Sequence, residues 1–291
     1  MHCVTLNLHT ALPARLDGRN LQPDRLADMT ADAIAQLPLS LGRRRTTVGE
    51  WFSVHLAAAD TPLAQLCLVG DCRRIDYLGH SLQGGELVVQ GDAGDAVGYA
   101  MRAGTIHVRG NVGARAGMSM RGGLRSGGRL WIDGNAGDYV GGPAPGERSG
   151  MSGGQVIIGG STGDFLGQRM RRGTIMVGES AGDFAAAEMV AGTIAIGANV
   201  GASPALGMRR GTLLVGRPPR LAHVGFTSPR AETPSVWPLL RASLSRQLTR
   251  PCSLQHRLAD QAGTMMRSLG DLAAGGMGEV LWFDDASEQA S

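Results

Sequence analysis

Residues 151–215 read MSGGQVIIGGSTGDFLGQRMRRGTIMVGESAGDFAAAEMVAGTIAIGANVGASPALGMRRGTLLV. Met151, Met170, Met189 and Met208 recur here at an interval of 19 residues, and Gly154, Gly173, Gly192 and Gly211 keep the same interval. Self-similarity at a fixed period is the mark of a stacked-repeat architecture. A short aliphatic run follows each glycine: QVII at 155–158, TIMV at 174–177, TIAI at 193–196 and TLLV at 212–215. The second and fourth residues of each run are aliphatic, so both point to one face of a strand.

The same phase extends upstream. Gly85, Gly104 and Gly128 open ELVV at 86–89, TIHV at 105–108 and RLWI at 129–132, and Met101 and Met120 repeat the 19-residue interval. A second glycine follows nine residues after each of the first six, at 94, 113, 137, 163, 182 and 201. Six complete units and a terminal fragment are visible, and an earlier degenerate unit ends at Asp76-Tyr77-Leu78-Gly79. A 19-residue unit with a strand and two glycine turns has no room for a helix as well.

Ordering a backbone costs about 1–2 kcal/mol per residue, whereas a buried aliphatic side chain returns about 1.5–3 kcal/mol. Three or four aliphatics therefore cannot hold one unit alone, and stacking must supply the rest. The expected fold is mainly β: a parallel β-helix over 66–216, with the methionines as interior filler and the glycines at corners that need φ > 0 or close backbone approach. Two intervals lengthen to 24 and 26 residues, placing insertions at RGGLRSGG (121–128) and GGPAPGERSG (141–150), expected near each other on one side.

The flanks read differently. Residues 1–65 suggest a small α/β cap, with a strand at Cys3–Leu8, a helix near Pro23–Leu37 and a strand at Trp51–Leu56. Residues 217–291 read as a proline-rich linker and C-terminal extension, with helices at Leu239–Leu248 and Leu254–Leu272 and a last strand at Gly278–Phe283.

Composition agrees and excludes other chemistry. The 291 residues include 45 Gly, 43% are hydrophobic and the formal charge is +3. Neither collagen nor a disordered chain fits these figures. All 28 basic residues are Arg, which excludes Schiff-base and Walker-type lysine chemistry. No segment is a basic arm, so no nucleic-acid partner is expected. Cys3, Cys67, Cys72 and Cys252 form no CxxC pair, no 18-residue apolar run appears, and the N-terminus lacks a leader pattern. A cytoplasmic chain with no membrane partner is expected.

Catalytic motifs are sparse. Gly150-Met151-Ser152-Gly153-Gly154 has the Gly-x-Ser-x-Gly pattern, but Ser152 lies in repeat phase where no helix follows. The seven His residues form neither HxH nor HExxH, and no catalytic or metal-binding residue is expected. An enzymatic reading would use Glu147, Arg148 and Ser152 of the second insertion. Asp95, Asp138, Asp164 and Asp183 form a column, read as turn acids bonding local backbone rather than acid–base pairs. Arg102, Arg121, Arg171 and Arg209 follow the Met column; this row is either a solvated corner or an anion track. The third strand position faces outward yet reads Val88, His107, Trp131, Ile157, Met176, Ala195 and Leu214. Such an apolar strip wants cover, in part from the C-terminal helices and in part from a partner.

These residues carry a family resemblance. The GTIHVRGNVG unit (104–113), the GMSGG junction (150–154), LPLSLGRRRTTVGEWFSV (37–54) and the SLGDLAAGGMGEVL tail (268–281) resemble the C subunit of formylmethanofuran dehydrogenase. The repeat also looks like the glycine-repeat β-helix of glutamate synthase, which lacks that tail. The family spans an archaeal tungsten or molybdenum enzyme and a bacterial formyltransferase/hydrolase complex; the lysine-free, Ala- and Gly-rich composition favours the bacterial one. The resemblance implies a non-catalytic structural subunit, with metals and a methanofuran-type cofactor on partner subunits. Those partners are an amidohydrolase-like hydrolase, a dehydrogenase-B-like subunit and a formyltransferase. Formyl would pass from formyl-tetrahydromethanopterin to a methanofuran analogue and leave as formate. The glutamate-rich tail of such cofactors would suit the arginine row.

Overall fold

The computed structural model describes residues 2–58, 63–123, 127–221, 225–248, 251–259 and 264–284. The chain is mainly β, with few and short helices. Its N-terminal part comprises β1 (His2–Leu8), β2 (Leu16–Asp17), α1 (Pro23–Leu26), α2 (Ala31–Ala35), β3 (Pro38–Leu41), β4 (Arg44–Thr47), β5 (Phe52–Ala58), β6 (Gln65–Val69) and β7 (Ile75–Asp76). The single helix expected near Pro23–Leu37 is two. Thr30 is extended (φ −74°, ψ 159°) and its side chain accepts the Ala33 N–H, so it caps α2. Thr favours that role over a helix interior. The β3–β4 hairpin, turning at Gly42 (φ 57°), was not expected.

The repeat supplies β8 (Glu86–Gln90), β9 (Thr105–Val108), β10 (Arg129–Ile132), β11 (Ser152–Ile158), β12 (Arg172–Val177), β13 (Thr193–Ile196) and β14 (Thr212–Val215). Each pairs in parallel with the next, aligning Leu87, Ile106, Leu130, Val156, Ile175, Ile194 and Leu213. These side chains, their partners two residues on, and Met101, Met120, Met151, Met170, Met189 and Met208 are all completely buried. Further rows join the units: parallel bridges run through Cys72, Ala93, Val112, Ala136, Thr162, Ala181 and Val200. A third row takes each N–H of Gly98, Gly117, Gly141 and Gly167 to the carbonyl of Leu78, Val97, Ala116 and Val140.

Glycine serves both turning and close approach: Gly85, Gly104, Gly154, Gly173, Gly192 and Gly211, which open the strands, have φ of 77–117°. A Cβ on Gly197 would lie 2.0 Å from the Gly178 carbonyl oxygen, so backbones touch there. Many left-handed corners, by contrast, are not glycine: Tyr77, Tyr139, Phe165 and Phe184 have φ of 58–60°. Their N–H groups bond the next unit, as Phe165 does to the Asp183 carbonyl at 2.8 Å, and such contacts hold a costly backbone state in place.

Two polar columns staple unit to unit. Asp76, Asp95, Asp138, Asp164 and Asp183 accept through Oδ1 the N–H of Asp95, Ala114, Asp164, Asp183 and Ala202 at 2.7–3.0 Å. The acids thus bond the following unit and not their own turn, because the parallel stack places that N–H directly beyond the carboxylate. Asp92, Asn111 and Asn135 do the same for Asn111, Asn135 and Ser161.

The C-terminal part contains β15 (Arg230–Ala231), α3 (Trp237–Ser245), α4 (Ser253–Ala259), β16 (Thr264–Gly270) and β17 (Gly278–Asp284). The helix expected over Leu254–Leu272 is therefore short, and Thr264–Gly270 is a strand. β17 extends the parallel ladder beyond β14, and β16 pairs antiparallel along all of it; this pairing overrides the local helical pattern. The result is one open thirteen-stranded sheet, ordered β15-β16-β17-β14-β13-β12-β11-β10-β9-β8-β6-β1-β5. Antiparallel neighbours occupy both ends, where a bare parallel edge would invite pairing with other chains.

Candidate functional site

The arginine row lies where each unit leaves the methionine column. The N–H groups of Arg102, Arg121, Arg171 and Arg209 bond the carbonyls of Leu82, Met101, Met151 and Met189, each at 2.8 Å. With the backbone held, the guanidinium groups project outward and are exposed. Arg171 and Arg209, joined by Arg172 and Arg210, border an open hollow of about 740 Å³. No described carboxylate pairs with these four. Arg172 and Arg210 were missed in the sequence, although the doublets at 171–172 and 209–210 signal them.

The insertions extend this basic edge. Arg121, Glu147, Arg148, Ser152 and Arg171 border a second hollow of about 380 Å³. A third, of about 310 Å³, is lined by glycine backbone together with Arg129 and Arg172. Ser152 and Arg171 border the first two and Arg172 borders the first and third, so the surface is continuous. Arg121 differs from the rest of the row: it pairs with Glu147 at 3.5 Å. That contact joins the first insertion to the second, as their expected proximity requires; Leu124, Arg125 and Ser126 lie outside the described residues. Arg102 is exposed and does not line these hollows.

Glu147, Arg148 and Ser152 do meet at one hollow, but Glu147 and Ser152 are already engaged. The Ser119 hydroxyl donates to Glu147, and the Ser152 hydroxyl faces the Met120 carbonyl at 3.4 Å. No histidine borders the hollow; His223 lies outside the described residues. Among the described residues no group of three or more His, Cys, Asp or Glu could hold a metal. The arrangement can bind anions: several positive charges, no counter-charge among the described lining residues beyond Glu147, and exposed backbone.

The outward strand column divides in two. Ile157, Met176, Ala195 and Leu214 are buried beneath Leu244, Leu248, Leu254 and Leu258 of the α3–α4 region, with Trp131 packed at the margin. Val88 and His107 remain half-buried outside that cluster. His107 Nε2 lies 3.0 Å from Asp133 Oδ1, and its ring packs at 5.8 Å on Trp131.

No family model matches the chain. Over 90 residues, 31% of this chain and 32% of the relative, it is 38% identical to the C subunit of the formyltransferase/hydrolase complex Fhc of Methylorubrum extorquens. Over 94 residues, 32% of this chain and 34% of the relative, it is 29% identical to the C subunit of tungsten-containing formylmethanofuran dehydrogenase 2 of Methanococcus maripaludis. These alignments span about a third of each curated relative. A chain of the X-ray crystal structure of the formyltransferase/hydrolase complex (FhcABCD) from Methylorubrum extorquens, in complex with methylofuran, superposes far more fully. It covers 96% of this chain and 98% of that one, with a TM-score of 0.84 and 35% identity.

The chain belongs to the family of the formyltransferase/hydrolase C subunit. The related C subunit of formylmethanofuran dehydrogenase shares the same resemblance. The superposition takes in 96% of the chain, far more than the repeat alone. Among the described residues no helix is long and apolar enough to cross a membrane.

Proposed function

We propose that this chain is the structural, non-catalytic subunit of a cytoplasmic formyltransferase/hydrolase complex. In that complex a formyl group passes from formyl-tetrahydromethanopterin to a methanofuran analogue and is released as formate. The observation that carries the reading is the superposition over 98% of a chain of FhcABCD at 35% identity. The higher identity to the Methylorubrum relative, 38% against 29%, favours this complex over the tungsten enzyme. Partners would be the hydrolase, a dehydrogenase-B-like subunit and the formyltransferase, which carry the metals and the reacting groups.

Within this reading the three rows and two polar columns of unit-to-unit bonds support a parallel β-helix over 66–216, right-handed as the family resemblance implies. Residues 1–65 act as its α/β cap and 217–291 as its extension. Val88, His107 and Trp131 offer an uncovered part of the sheet face to a partner, while Ile157, Met176 and Leu214 are sealed by the chain itself. Arg102, Arg121, Arg171 and Arg209, strengthened by Arg172 and Arg210, would attract the glutamate-rich tail of the methanofuran-type cofactor.

Purification of the native complex through a tag on the full chain, with mass identification of co-purifying proteins, tests the assignment. Recovery of the three partner types supports it; recovery of an amidotransferase supports a glutamate-synthase-like spacer instead. Charge reversal of Arg102, Arg171 and Arg209 should weaken cofactor retention steeply at low salt, and unchanged retention would refute the anion role.

A further inference from the structure

The corner opposite in charge to the arginine edge carries its own chemistry. Tyr139, Phe165 and Phe184 stack along the outside of successive units, with ring centroids 4.9 and 5.0 Å apart and planes 2° and 10° from parallel. All three are half-buried. Towards the C-terminal end the strip opens into a hollow of about 530 Å³ bordered by Phe165, Phe184, Ala187 and Leu206, the last 45% exposed. Each ring follows an aspartate in sequence: Asp138, Asp164 and Asp183. Their Oδ1 atoms are committed to the next unit, while their Oδ2 atoms take no bond from a described residue. Arg169 beside the strip is neutralised by Glu188 at 3.0 Å.

We propose that this acidic–aromatic strip is a docking face for an arginine-bearing segment of a partner protein. The chain itself shows how the corner takes a guanidinium. In the first units the same positions are Asp76, Tyr77 and Asp95, and the chain's own arginines fill them. Arg15 pairs with Asp76 at 2.5 Å and with Asp95 at 3.2 Å. The Arg19 guanidinium lies 4.0 Å over the Tyr77 ring. Farther along, where the column reads Ala114–Arg115, Arg115 leans towards Tyr139 at 5.9 Å. Beyond Tyr139 the rings and carboxylates continue, and no described arginine covers Phe165 or Phe184. A guanidinium is weakly hydrated, stacks on rings and pairs with carboxylates in one plane, so the vacant length of the corner is complementary to arginine in charge and in shape.

This inference rests on the reading of the chain as a subunit of a larger complex. Its test uses the native complex, purified through a tag on this chain, with the photoreactive residue p-benzoylphenylalanine at position 165 or 184. The expected cross-link joins a partner subunit at a peptide that contains arginine beside the linked residue. In parallel, D138N/D164N/D183N keeps every Oδ1 acceptor and removes the charge. Its thermal unfolding should match the parent chain, while that partner should dissociate roughly tenfold faster at low salt. Cross-links to a second copy of this chain, to a peptide without arginine, or to nothing in a complex that keeps its partners would overturn the proposal, as would unchanged retention by the triple variant. If the unmodified chain retains no partner at all, the subunit reading itself falls.

Discussion

Asp164 Oδ1 accepts the backbone N–H of Asp183 at 2.8 Å, 19 residues along the chain and one unit along the stack. The side chain thereby satisfies a backbone donor that the turn leaves without a carbonyl. Asp164→Ala would strand that part-buried N–H, at a cost of about 1–3 kcal/mol. Asn111 and Asn135 do the same work elsewhere, so Asp164→Asn should fall within about 0.5 kcal/mol of the parent. Denaturant midpoints for the two variants check this; equal losses would show that charge, and not acceptance, holds the staple.

Gly197 sets a stricter limit. Its hypothetical Cβ lies 2.0 Å from the Gly178 oxygen and 2.3 Å from the Leu254 nitrogen, both backbone atoms that cannot swing aside. Gly197→Ala should cost on the order of 3 kcal/mol or more and loosen α4 from the sheet. Gly84→Ala, with nothing within 4 Å of the added carbon, should be neutral or gain about 0.4–1 kcal/mol from a stiffer unfolded chain. Thermal unfolding separates the two.

The divided outward column predicts divided responses. Leu214 is completely buried under the C-terminal helices, and Leu214→Ala should cost about 2–5 kcal/mol. Val88 occupies the same strand position but is half-buried outside that cluster. Val88→Asp should change the stability of the isolated chain by much less and should lower its yield in the assembled complex. A large unfolding effect from Val88→Asp would mean that this face is already sealed.

His80 gives a pH dependence. Burial, and secondarily the Arg19 charge, hold its pKa below the usual 6.5, and its ring packs on Tyr77 and Tyr99. Below 6.5 the unfolded chain binds this proton more readily than the folded one. The stabilisation is therefore complete above 6.5 and is lost as pH falls towards the folded value. Denaturant midpoints at about pH 5 and about pH 8 should differ less for His80→Gln than for the parent chain. An unaltered difference would assign the dependence to other groups.

Thiol chemistry offers a further check. Burial pushes the Cys72 thiol up to about 12, so it should resist alkylation in the folded chain and react after Cys67, which is half-buried at the uncovered sheet face. Mass mapping of native alkylation decides the order.

Much of the stack was legible because one spacing controls it. The recurrence of Met151, Met170, Met189 and Met208, with paired aliphatics such as Ile175 and Val177, specifies which residues superpose, and superposed aliphatics can only be interior. The aspartate column was legible as structural but its partners were not, since the N–H that each acid finds belongs to a unit 19 or more residues away. Within the candidate site, Arg171 and Arg209 followed from phase, while the neutralisation of Arg121 by Glu147 required an insertion to fold back against its neighbour.

The sequence by itself determined the strands of the repeat, their order and their parallel register, because a fixed repeat admits one alignment in which the paired aliphatics of every unit superpose. Only the tertiary structure decided that Thr264–Gly270 is a strand, which half of the apolar column is sealed, and which arginines stand without counter-charge. Those outcomes depend on contacts between segments far apart in the chain, and no local pattern encodes the distance between two side chains that meet only once the stack is built.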